Sequence, residues 1–149
     1  MCSSDLGAGG RRLRDKWADG PQTYLGLQIH GFPNLFTLVG PHNAATFCNI
    51  PRCIEQNVDW VTALIRHMRE RGHTRVEPTA EAERGWTEHV HDVARRMLFT
   101  QVDSWMMGIN SNLPGKQRRS VVVYAGGAPK YREKCDEIAA RGYDGFAFA

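Results

Sequence analysis

The chain has 149 residues, with 19 Lys+Arg against 16 Asp+Glu and a formal charge of +3. At 42% hydrophobic and 23% charged residues it has ordinary globular composition and length enough for one domain-sized core, which excludes a disordered or collagen-like chain. The basic pairs Arg11-Arg12, Arg95-Arg96 and Arg118-Arg119 lie far apart, which argues against a nucleic-acid partner, and apolar runs as short as Val121-Val122-Val123 argue against a membrane span.

The first element is a glycine- and arginine-rich loop, Gly7-Ala8-Gly9-Gly10-Arg11-Arg12. From Tyr24 to Val39 the residues are apolar and β-prone, broken at Gly31-Phe32-Pro33-Asn34, which predicts buried strands over 25–29 and 35–39 joined by a turn. Gly40-Pro41-His42-Asn43 makes a further turn or loop. A helix follows, with Asn49 as N-cap, Pro51 in its first turn and Gly72 as its stop. Ile54, Val58, Val61, Leu64, Ile65 and Met68 recur at three- and four-residue steps and form its predicted apolar face. After Pro78, Thr79 caps a second helix with Glu81 and Glu83 in an acidic first turn and Trp86, Val90, Val93, Ala94 and Met97 on one stripe. Residues 103–119 read as a long loop, 120–124 as a β-branched strand, and 129–141 as a last helix ending at Gly142. The expected class is therefore α/β.

Four cysteines, Cys2, Cys48, Cys53 and Cys135, in a chain whose start lacks the basic and apolar regions of an export signal, predict reduced thiols and a cytoplasmic protein. Cys48 and Cys53, with His67 or with His89 and His91, lack zinc-motif spacing, so no metal is expected and small buried cysteines are the simpler reading. Nothing in the sequence sets a histidine beside a thiolate as a nucleophilic pair would require. The glycines at 7, 9 and 10 do not make a dinucleotide fingerprint, because the third glycine would fall at Arg12 and no strand precedes them; no P-loop is present either. Two positions carry more. Trp105 enters the Gly/Asn/Pro-rich loop, where a large aromatic meets a ligand or anchors the loop. Asn49 caps a helix whose first-turn N–H groups also suit an electron-rich ligand atom.

An ordered set of motifs then stands out: Lys16-Trp17-Ala18-Asp19-Gly20-Pro21-Gln22-Thr23-Tyr24-Leu25-Gly26, Gly31-Phe32-Pro33-Asn34-Leu35-Phe36, Gly40-Pro41, Ile54-Glu55-Gln56-Asn57-Val58-Asp59-Trp60, Glu81-Ala82 with Trp86, Ser104-Trp105, Pro114-Gly115-Lys116, Gly126-Gly127 and Tyr131-Arg132. In this order they resemble the C-terminal part of the Baeyer–Villiger monooxygenases, a flavoprotein family, from about Gly7 to Phe148, with residues 1–6 unmatched. The resemblance implies the closing strands and helix of an FAD-binding Rossmann-like domain over 24–72. Over 73–149 it implies a helix, a loop that contacts NADP, and a final strand and helix. Because two dinucleotide domains need on the order of 300 residues, the resemblance implies a fragment, inactive alone, whose FAD/NADP-binding N-terminal portion and catalytic arginine lie upstream.

For the intact enzyme the resemblance implies FAD and NADPH as cofactors and the conversion of a small-molecule ketone, with O2, into an ester or lactone. It places Asn49 and Ile50 at the flavin pyrimidine ring, Ala45, Thr46 and Phe47 along the substrate space, and the Trp105 indole N–H on the NADP ribose. Phe47 is expected to narrow that space. The run from Gly108 to Pro114 is two residues longer than the family's commonest form, leaving Asn110 and Asn112 as alternatives for one asparagine, and His42-Asn43-Ala44 departs from the family's usual residues, implying a different pocket. A stand-alone α/β binding module and a related N- or S-oxygenating flavin monooxygenase are the competing readings.

Overall fold

The computed structural model describes residues 6–112 and 118–149. Its helices are α1 (Leu13–Lys16), α2 (Ile50–Glu70), α3 (Ala80–Ala94) and α4 (Ala128–Ala140), and its strands are β1 (Val76–Pro78) and β2 (Phe146–Phe148). The result is a mixed α/β fold, mostly helical among the described residues, with one two-stranded sheet. No helix among them is long and apolar enough to cross a membrane.

The helix termini follow from local chemistry. Asn49 Oδ1 accepts from the Arg52 N–H at 3.3 Å, and Pro51 sits in the first turn where its missing N–H is not needed. At the other end of α2, Gly72 takes a left-handed φ of 73° and His73 N–H closes back on Met68 O. Thr79 Oγ1 caps α3 by accepting from Ala82 N–H at 3.1 Å, and α4 carries Pro129 in its first turn and left-handed Gly142 beyond its end.

The strands expected over 25–29 and 35–39 do not form. Leu25 and Gly26 both adopt left-handed φ, so the chain doubles back and Tyr24 N–H bonds Gln28 O at 2.8 Å; only isolated bridges link Gln28 to Tyr24 and Phe36. The segment is apolar because it is buried, with Leu25, Leu27 and Ile29 fully covered, and it is coiled rather than laddered. The segment 120–124 is not a strand either. Ser120 and Val122 N–H groups reach Met107 O and Met106 O, while Val122 O and Tyr124 N–H meet His42 N–H and Asn43 O, so it runs between two turns and has no neighbouring strand to pair with. The actual sheet pairs β1 and β2 antiparallel, Val76 opposite Phe148, and extends through Arg75 and Ala149.

Helix α2 buries Cys53, Asn57, Trp60, Val61, Leu64 and Met68, whereas Ile54 and Val58, expected on that face, are exposed. The apolar arc of α2 is wider than this chain's core, which covers one flank of it. Trp60 fixes α2 to α4 by donating from its indole N–H to Cys135 O at 2.9 Å, and its ring packs edge-on to Tyr143 at 5.2 Å. Cys48 and Cys53 are joined as a disulfide, which corrects the expectation of reduced thiols for this pair. Cys48, which closes the Ala45–Phe47 turn two residues before α2, and Cys53, an inward-facing residue of the first turn of α2, meet at one corner, a proximity that the five-residue spacing does not announce. Cys135 is a free, fully buried thiol, and burial pushes it up to about 12.

Glu83, in the acidic first turn of α3, is buried. Its Oε2 takes a 2.6 Å salt bridge from Lys16 Nζ, itself buried, and its Oε1 accepts from His30 N–H at 2.8 Å. Breaking a buried pair leaves one uncompensated charge, so Lys16→Met is expected to destabilise the fold by about 3–5 kcal/mol in urea unfolding. A loss below about 1 kcal/mol would show that the pair is solvated.

Candidate functional site

The residues around the start of α2 are held by a buried polar network. Asn43 Nδ2 donates to Asn57 Oδ1 at 2.9 Å and to Tyr131 Oη at 2.8 Å; Asn57 Oδ1 also accepts from Val39 N–H, and Tyr131 donates to Leu25 O at 2.6 Å. Burial keeps the Tyr131 hydroxyl protonated, far above its ordinary range, so its donor is always present. Asn43 Oδ1 then accepts from Ala45 N–H at 3.1 Å and anchors the short 3-10 turn Ala45–Phe47 that leads into α2.

Beside this turn lies a cavity of about 310 Å3, lined by Ala45 and Thr46, by Gly40, Pro41, Asn43, Val122 and Val123, and by Trp105. Sequence-predicted residues 59 or more positions apart in the chain thus face one space. At this size it takes a ring or the edge of a larger ligand and not a whole dinucleotide. Trp105 sits on the 3-10 turn Trp105–Met107, whose end requires left-handed Gly108 and whose carbonyls Met106 O and Met107 O are tied to Val122 and Ser120. Its side chain is 63% exposed, with no hydrogen-bond partner for its indole N–H among the described residues.

The start of α2 presents a single backbone donor. Pro51 has no N–H and the Arg52 N–H is taken by Asn49, which leaves Ile50 N–H without a partner among the described residues. Ile50 is exposed. Asn49 lines a separate, larger cavity of about 610 Å3 between the first turns of α2 and α4, and Phe47 lines neither cavity, its ring standing half-exposed 6.3 Å from Phe99.

His42 lies outside the cavity, so its departure from the family's residues does not reshape that lining directly. It is fully buried, with Nδ1 3.2 Å from Thr23 Oγ1 and Nε2 3.1 Å from Val121 O. Because a carbonyl only accepts, Nε2 carries the proton, and the unprotonated Nδ1 faces the Thr23 hydroxyl, whose one proton also has Pro41 O as an acceptor at 3.2 Å. Asn43, next to it in the same departing run, does line the cavity. Among the alternatives in the longer loop, Asn110 Oδ1 accepts from Asn112 N–H at 3.0 Å; the Pro114-Gly115-Lys116 motif lies outside the described residues.

No family model matches the chain. It is 44% identical over 138 residues, 93% of its length and 25% of the relative's, to the 2-oxo-Δ3-4,5,5-trimethylcyclopentenylacetyl-CoA monooxygenase of Pseudomonas putida. It is 42% identical over 144 residues, 96% of its length and 26% of the relative's, to the methyl acetate-forming acetone monooxygenase of Gordonia sp. strain TY-5. The crystal structure of OTEMO in complex with FAD and NADP superposes with a TM-score of 0.86 at 42% identity, over 97% of this chain and 26% of that one. Both relatives are monooxygenases, and the superposed structure holds FAD and NADP. The chain is a homologue of the Baeyer–Villiger monooxygenases and spans about a quarter of the length of the curated relatives it matches.

Burial lowers the His42 pKa from 6.5 to about 4. His91, whose ring stands 6.1 Å away, is lowered by its own burial and then by Arg95. A folded-state pKa below the unfolded one favours the fold above pH 6.5 and loses that contribution as pH falls from 6.5 toward 4. The expected loss from His42 is about 3 kcal/mol over that window, measured by urea unfolding at stepped pH. His42→Asn, which suits the left-handed backbone at this position, is expected to flatten the window; an unchanged pH dependence would count against it.

Proposed function

We propose that this chain forms the C-terminal quarter of an FAD- and NADPH-dependent monooxygenase that uses O2 to convert a ketone into an ester or lactone, and that it is inactive alone. The observation that carries the reading is the 42–44% identity, sustained over nearly the whole chain, to monooxygenases that include a methyl acetate-forming enzyme. The superposition on a structure bound to FAD and NADP supports the cofactors.

The residues present fit those groups as edges of a site completed elsewhere. Ile50 N–H, at the positive end of a 21-residue helix, suits a ring carbonyl on which negative charge gathers. When bound, the flavin supplies the oxygenation chemistry. Asn49 holds the helix end in shape for it. Ala45 and Thr46 line the substrate side of the cavity, and Phe47, which does not line it, is left out of this role. Trp105, exposed and with an unengaged indole N–H, donates to the nicotinamide dinucleotide and covers the cavity, which excludes water from the reacting centre.

The test joins this chain to the complementary portion of the Pseudomonas putida relative and follows flavin absorbance, NADPH oxidation and ester formation, beside the chain alone with added FAD. The joined protein is expected to be yellow and to make ester from ketone, and the isolated chain to do neither. Turnover by the isolated chain, or N- or S-oxygenation in place of ester formation, would sink the reading. In the joined protein Trp105→Ala is expected to leave the unfolding free energy within about 0.5 kcal/mol while raising several-fold the fraction of NADPH oxidised without ester. Loss of folding with intact coupling would make Trp105 a structural anchor instead.

A further inference from the structure

The Cys48–Cys53 disulfide ties the end of the Ala45–Phe47 turn to the first turn of α2. The start of that turn is held by Asn43 Oδ1, which accepts from the Ala45 N–H at 3.1 Å. The other hydrogen bonds of the turn run to near neighbours, Phe47 N–H to Ala44 O and Cys48 N–H to Ala45 O, so the disulfide is the anchor of its far end.

The setting of this bond differs from that of a structural staple. A bridge over five positions closes so short a loop that it removes little freedom from the unfolded chain. Both cysteines line the cavity of about 610 Å3 between α2 and α4; Cys48 is part-exposed and Cys53 only 9% exposed, so a small thiol entering the cavity reaches Cys48 first. On the cavity walls Arg52 and Arg132 offset Glu133 and Asp136, which leaves the positive end of the 21-residue α2 to set the field at Cys53. A thiolate released in that first turn is stabilised, and the stabilised thiolate is the better leaving group. Cys135 is fully buried, and burial pushes its thiol up to about 12, which keeps it protonated and out of the exchange.

We propose that Cys48 and Cys53 form a reversible thiol–disulfide pair, reduced by a small monothiol that enters the α2–α4 cavity, and that its redox state sets how firmly the Ala45–Phe47 turn is held to α2. A thiolate of the reductant attacks Cys48 Sγ; the S–S bond breaks and its electron pair leaves on Cys53 Sγ, which takes a proton from solvent. A second thiolate attacks the reductant's sulfur in the mixed disulfide, which releases Cys48 as a thiolate and the reductant as its own disulfide, so two electrons pass from two thiols to the pair. The disulfide form of the same monothiol reverses both steps. In the reduced chain Asn43 still holds the start of the turn, while its far end, beyond the Ala45 and Thr46 that line the smaller cavity, is released. The pair belongs to this chain and does not depend on the oxygenation proposed above.

The test equilibrates the full 149-residue chain, with Cys2→Ser to simplify labelling, in native buffer at graded ratios of reduced to oxidised glutathione, followed by alkylation and peptide mass analysis. Cys48 and Cys53 are expected to become alkylatable together while Cys135 stays unlabelled until urea is added, and to close again when oxidised glutathione is restored. In Cys53→Ser glutathione is expected to lodge on Cys48, several-fold more than on Cys53 in Cys48→Ser. Reduction is expected to speed hydrogen exchange at the Ala45 and Cys48 amides by about tenfold and to leave α3 unchanged. A pair that resists excess glutathione until the chain unfolds would overturn the proposal, as would one that does not re-form, preferential capture on Cys53, or equal exchange at the turn in both redox states. The titration and exchange use the native pair, so they decide the outcome even where a serine variant fails to fold.

Discussion

The Asn43 side-chain amide is the constraint on which the rest of this structure turns. From one buried position it engages α2 through Asn57, α4 through Tyr131 and, by its carbonyl oxygen, the turn that starts at Ala45. Tyr131 continues to Leu25 O and Asn57 to Val39 N–H, so four segments distant in the chain share one set of hydrogen bonds. In a low-dielectric interior such a network tolerates no half-measures, because any member left without its partner keeps its desolvation cost. The coiled apolar segments around Tyr24–Ile29 and Val39–Ala45 lack a sheet to satisfy their backbone, and this network supplies part of what a sheet would have supplied.

A second layer of order is electrostatic. The Lys16–Glu83 pair pins the short helix α1 to α3, and Glu83 also fixes the backbone at His30. Thr23, seven residues after Lys16, meets the neutral His42 ring, which in turn holds Val121 beneath the Trp105 turn. The chain's N-terminal third is thus linked by polar contacts to Val121, next to the Val122 and Val123 that line the cavity.

The three longer helices were legible because their signals are local: Asn49 with Pro51, Thr79 three residues before Ala82, and Gly142 each act within a turn of the residues they organise, whereas the four-residue α1 was not read. The strands were not. The apolar content of 25–29 and 121–123 reports burial, and burial alone does not distinguish a ladder from a left-handed turn at Leu25 and Gly26. The real sheet joins Val76 to Phe148 across 72 positions and rests on three-residue strands with no periodicity to read. The same holds for Lys16 with Glu83, whose carboxylate looks from the sequence like any acidic first turn. At the candidate site, the family resemblance named Ala45, Thr46 and Trp105, which the fold brings to one cavity. Asn43 and the separation of Asn49 and Phe47 from that cavity depend on how two turns face each other.

Pro51 has a chemical corollary at the start of α2. Phosphates and carboxylates bind helix ends by gathering several adjacent N–H groups around their oxygens. Here one donor is deleted by the pyrrolidine ring and the next is consumed by the Asn49 carbonyl, so an anion finds only the Ile50 N–H. A helix end with a full dipole but a single open donor discriminates by valence: it accepts a lone carbonyl oxygen in a fixed direction and offers a multidentate anion too few partners to leave water.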